Sequence, residues 1–125
     1  MPKVKVGVVG EIYVKYASPG NNDLEGFLAS QDCEVNLPGI LAFALFNIDN
    51  RLEDIKLYGG SAVKFAVVHR LMRYCTELET ILIDAVKKAP QYVPPSSYSH
   101  TKSLVKGVIG YGDKMGEGWL LTADM

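Results

Sequence analysis

The chain has 125 residues, with 13 Lys+Arg against 14 Asp+Glu, a formal net charge of −1 and 48% hydrophobic residues. Balanced charge, with 22% charged residues, excludes an extended disordered chain and a nucleic-acid binder built around a basic face. Size scaling gives a compact monomer of 13.7 kDa roughly 6,600 Å² of accessible surface, so the whole length, 1–125, is expected to form a single α/β domain.

The longest apolar run, Ile40 to Phe46, falls far short of the roughly 20 residues that cross a bilayer, so no membrane span is expected. Met1-Pro2-Lys3-Val4 leads straight into a strand pattern and leaves no room for a leader, which makes a cytoplasmic location the expectation. Cys33 and Cys75 stand alone, in neither a Cys-x-x-Cys pair nor a zinc spacing, and are expected as ordinary half-buried thiols with no metal between them.

Val4, Val6, Val8 and Val9 alternate with small or charged residues up to Gly10, a β-branched strand apolar enough at its end to be central in a sheet. Residues 11–22 form the connection, and Asn21 or Asn22 caps a helix carrying Leu24, Phe27 and Leu28. A second strand, Cys33 to Leu37, follows at the distance a parallel crossover needs. This opening predicts part of a doubly wound, Rossmann- or flavodoxin-like parallel sheet.

The pattern then turns helical. Pro38 opens a segment, apolar nearly all round, that reaches about Asp49 and must be deeply buried or covered by a partner. A charged stretch, Arg51 to Lys56, and the break Tyr58-Gly59-Gly60-Ser61 follow. From Ser61 to Lys88, Val63, Val67, Leu71, Tyr74/Cys75, Leu78, Ile81/Leu82 and Ala85 mark one stripe of a long inserted helix, stopped at Pro90. Arg73 and Glu77 are spaced as a surface ion pair, while Glu53-Asp54 and Glu77/Glu79 read as solvated helix faces. Residues 90–97 should run extended, Tyr98 to Val105 helical, and Val108-Ile109 as a brief strand or a buried turn. Trp119 begins a last helical pattern that lacks any stop signal, as in a piece of a longer chain.

Two places could carry function. Four glycines among residues 110–118 precede Trp119, and such a loop exposes backbone N–H groups that suit an anion. Neither nucleotide fingerprint is present, however, and the same glycines equally serve a turn that needs only positive φ. Glu11, Tyr13, Lys15, Tyr16 and Asn22 stand just past the first strand, where open α/β sheets bind ligands, or where a plain solvated loop would sit. Both connections lead into helices and should meet at one sheet edge, with Trp119 packed on the first-strand layer. His69 and His100 are isolated helical residues that complete no catalytic order.

Val8-Val-Gly-Glu-Ile-Tyr-Val-Lys-Tyr16 with Asn21-Asn22, Asn36-Leu-Pro38, Tyr58-Gly-Gly60 and Met115-Gly-Glu-Gly-Trp-Leu-Leu-Thr-Ala-Asp-Met125 together resemble the 2-hydroxyacyl-CoA (2-hydroxyglutaryl-CoA) dehydratases and their large activator-related proteins. The resemblance spans nearly the whole chain and is most specific at its two ends. It implies a fragment of an anaerobic system in which ATP hydrolysis drives an electron to an iron–sulfur acyl-CoA dehydratase. The iron–sulfur cluster and ATP would then belong to other parts of the parent protein or to its partners, leaving this chain inactive alone. Glu11, Tyr13 and Asn22 match the first motif, and Gly116, Glu117, Gly118 and Trp119 the last, as candidate cleft residues. The implied partners are the remaining domains of the parent chain. Separately, the apolar surface of Ile40 to Phe46 and helix 61–88 is more than two short strands can cover, so self-association as a homodimer or a missing neighbouring domain is expected. A free-standing small-ligand or nucleotide-binding module, and a structural docking module, are the competing readings.

Overall fold

The computed structural model describes residues 3–125; Met1 and Pro2, where a direct entry into the first strand is expected, lie outside the described residues. About 63% of the chain is helical, and the strands form one two-stranded parallel sheet. β1 (Val4–Gly7) pairs with β2 (Cys33–Asn36), Val4 opposite Cys33 and Gly7 opposite Asn36. Val8 N–H extends the ladder to the Asn36 carbonyl at 3.0 Å. Strand β1 is therefore shorter than its valines suggest, and it is not central: Val4 is 70% exposed. Alternating Val and Lys suits a half-covered strand, and with one neighbour each strand keeps an open edge.

Three short helices make the crossover, α1 (Ile12–Tyr16), α2 (Ser18–Asn21) and α3 (Leu24–Ser30), where the sequence promised one helix after a loop. Glu11 caps α1 by accepting from Tyr13 N–H at 3.1 Å. The N-cap position of α3 is Asp23 rather than Asn21 or Asn22, though Asn21 accepts from Leu24 N–H at 3.2 Å from two residues before it, and Asn22 sits between at φ 55°.

Helix α4 (Ile40–Tyr58) does not stop near Asp49. The charged stretch 51–56 continues it because Asp49 and Glu53 turn inward onto Lys102, at 2.5 and 2.8 Å. Burial works against the Lys102 charge, yet the hydrogen bonds it donates to Asp49 and Glu53 outweigh it and hold the ammonium above its usual pKa. Gly59, at φ +80°, ends the helix in a conformation that favours glycine. Helix α5 (Ala62–Lys87) runs back along α4, with Ser61 at its N-cap position.

Of the anticipated stripe of α5 only Cys75 meets the core. Phe65, Val68, Met72, Glu79, Ile83 and Val86 are covered with it, a face that lies about 100° around the helix from the rest of the stripe. Val63, Val67, Leu71, Tyr74, Leu78, Ile81 and Leu82 remain exposed. Glu53 and Glu79 are buried rather than solvated, and among the described residues Arg73 and Glu77 make no ion pair. Glu79 accepts from Tyr98 N–H at 2.7 Å, satisfying an orphan donor at the start of α6 (Tyr98–Leu104).

Residues 105–109 close into a turn instead of a strand, with Val108 and Ile109 N–H groups both bonded to the Val105 carbonyl. A 3₁₀ turn (Met115–Glu117) leads into α7 (Gly118–Asp124). Trp119 is fully buried, and its neighbours correct the expected packing on the first strand. It lies among Phe46, Tyr98 and Tyr111, with ring centroids 5.2, 5.9 and 5.6 Å away. With Leu45, Val105 and Leu120 these rings form the apolar core between α4, α5, α6 and α7. The sheet lies outside it, because two four-residue strands present too little apolar area to cover an indole.

Candidate functional site

The two ends of the chain that carry the resemblance come together. Glu117 reaches from the glycine segment to the start of α1, where Oε1 accepts from Ile12 N–H at 2.7 Å and Oε2 from Lys15 Nζ at 3.1 Å. Both charged side chains are almost fully buried, at 4% and 3% exposure. The carboxylate thereby satisfies a free N–H at the positive end of α1 and neutralises a lysine that would otherwise be uncompensated. Glu117 holds φ 64°, a conformation costing a non-glycine residue about 1 kcal/mol, which these bonds offset.

Gly118 is held to glycine by a close approach: an added Cβ would stand 2.5 Å from the Asp113 carbonyl oxygen. That oxygen accepts from Trp119 N–H at 2.9 Å, so the loop is folded back on the helix start. Gly116 also has positive φ, but a Cβ there would meet open space. Trp119 anchors the loop through the aromatic core, and its indole N–H has no partner among the described residues.

The other candidates are peripheral. Glu11 is exposed and occupied as a cap, and Asn22 is exposed beside Asn21, which bridges α1 to α3 through the Val14 carbonyl at 2.8 Å. Tyr13 is 62% exposed, its ring lying over Gly20. Tyr16 donates to the Pro38 carbonyl, tying the first motif to the Asn36-Leu-Pro38 segment. Burial, reinforced by Glu117 and Asp124, raises the Tyr16 pKa. Asp124 is raised too, by burial first and then by Glu117, with Lys15 opposing. The Lys15 ammonium and the Glu117 carboxylate are thus engaged with each other and with the start of α1, and Asp124 stands close enough to feel both charges.

The arrangement missed in the sequence lies at the α4–α5 corner. An open pocket of about 430 Å³ is lined by Arg51, Asp54, Tyr58, Gly59, Lys64 and Lys114. Lys114 of the glycine segment pairs with Asp54, and Gly112 lies beside Leu57, so the glycine segment meets the end of α4. The signal was present as Gly-Gly-Ser at a helix start flanked by Arg51 and Lys64, but only the fold adds Lys114.

The residues do not suit an iron–sulfur cluster. Cys33 lies on β2 and Cys75 on the core side of α5, both free, and no group of three or more His, Cys, Asp or Glu side chains among the described residues could hold a metal ion. No helix of the described residues is long and apolar enough to cross a membrane. Comparison with family models, curated proteins and solved structures finds no match to this chain.

Proposed function

We propose that the chain is an assembly domain of a 2-hydroxyglutaryl-CoA dehydratase activator-related protein, the two strands being part of a doubly wound sheet, and that it has no catalysis of its own. The observation that carries this is the buried Lys15–Glu117 pair, which joins the first and last resemblance segments across 102 positions. Beside it Tyr16 of the first segment donates to the carbonyl of Pro38, which closes the second, and these two contacts are what support the reading. In the parent system ATP and the iron–sulfur cluster would act elsewhere, and this domain would hold its neighbours in place.

Reading the coding sequence past codon 125 tests the proposal. The frame should continue into a segment bearing the cysteines that this chain lacks; a stop codon directly after Met125 would overturn it. The purified chain should hydrolyse no ATP with or without an acyl-CoA, and turnover by the chain alone would also overturn it.

A further inference from the structure

We propose that the outward stripe of α5 docks on the same stripe of a second copy, the two helices running antiparallel. The inference goes beyond the family reading and does not depend on it. Val67, Leu71, Tyr74 and Leu78 are 64%, 47%, 58% and 38% exposed, a run at alternating spacings of four, three and four along one helix. That is the pattern with which two helices interlock side chains along a seam. The chain exposes 8513 Å² where a compact monomer of its mass exposes roughly 6,600 Å², and the excess more than covers the ~800 Å² per partner of an ordinary interface.

The charges select the partner and its direction. Arg70 and Glu77 stand seven residues apart on the edge of the stripe that faces away from the core, and neither has an ion-pair partner among the described residues. The opposite edge, at Val68 and Cys75, is covered by the protein itself. Reversing one helix against another brings the open edge of each onto the open edge of the other. With Leu71 opposite Tyr74 of the second copy, Val67 falls opposite its Leu78, and Arg70 falls opposite its Glu77. Two-fold symmetry repeats every one of these contacts, so one sequence supplies both halves of each charge pair. A parallel pair would set Arg70 near the covered edge of its neighbour and leave Glu77 unmatched.

Sedimentation equilibrium on the full chain tests this, with far-UV circular dichroism to confirm helix content. The parent should reach twice the 13.7 kDa chain mass as concentration rises. Arg70→Glu and Glu77→Arg each create two like-charge contacts per dimer and should each weaken association by about tenfold or more. Mixed in equal amounts, the two variants should recover the dimer, because every facing pair is then opposite in sign. Both positions are exposed, so neither change should unfold the chain. A parent that stays monomeric overturns the proposal, as when another domain covers the stripe. Variants that dimerise like the parent, or a mixture that fails to recover, overturn the antiparallel register.

Discussion

Residues 3–39 and residues 40–125 are held by different forces. In the first region the sheet and three short helices bury no apolar side chain; Lys15 is its one buried residue. Its strands carry exposed ion pairs, Lys3–Asp32 at 2.7 Å and Lys5–Glu34 at 3.8 Å, which solvent screens to little net stability. In the second region Leu45, Phe46, Tyr98, Val105, Trp119 and Leu120 share one dry core. The smaller region is thus attached chiefly by hydrogen bonding and a single buried charge pair, and the larger stands by burial. Apolar area scales with the faces an element can present, and two four-residue strands present little.

Trp119→Ala should break the larger region. Removing an indole from among three aromatic rings costs about 3–5 kcal/mol, and urea melts should show global destabilisation of that size. A melt like the parent's would remove Trp119 from the centre of the core.

Lys15→Met should separate the two regions instead. It strands the Glu117 carboxylate in a buried site, at a cost on the order of 3 kcal/mol. Hydrogen exchange should show protection falling across 3–39 first, with α4 to α7 retained. The double variant Lys15→Met/Glu117→Leu should recover much of the loss; uniform loss over the whole chain would show that the regions unfold as one.

Acid should act on the seam inside the larger region. Burial raises the Glu53 pKa, but hydrogen bonds from Lys102 and Lys56 outweigh it and bring it below the ordinary 4.5. A carboxylate depressed in the folded state lends stability above its unfolded pKa, and that stability drains as pH falls from about 4.5 through the folded value. Lys102→Met should shrink this step in a stability–pH series, leaving the share due to Lys56; an unchanged acid limb would place the sensitivity elsewhere. The smallest effect is expected at Asp124, whose raised pKa means that its charge is unwelcome in the fold. Asp124→Asn should leave stability unchanged or slightly raised near pH 7, and a clear loss in thermal melting would contradict this.

Local elements were legible where one residue type decides them. Gly59-Gly60 and Pro90 bracket α5 to within a few residues, and Asn21 accepts from the first N–H of α3 as its side-chain chemistry allows. The extension of α4 through 51–56 was hidden, because Asp49 and Glu53 read as solvent-facing until Lys102 arrives from 49 to 53 residues away. Of the candidate cleft residues, Glu117 and Trp119 occupy structural junctions, while the partner of Glu117, Lys15, looked like one more polar loop residue. No local pattern marks a lysine for burial; the opposing carboxylate does.

Composition, periodicity and breakers by themselves determined a mixed α/β chain with a long helix and two parallel strands of suitable spacing. The tertiary structure decided which side of that helix is inside. Two apolar stripes lie about 100° apart on α5, and periodicity registers both equally. The choice between them falls to the neighbours: α4 and α7 bring their rings against Met72 and Cys75, and Val67, Leu71, Tyr74 and Leu78 are left outside.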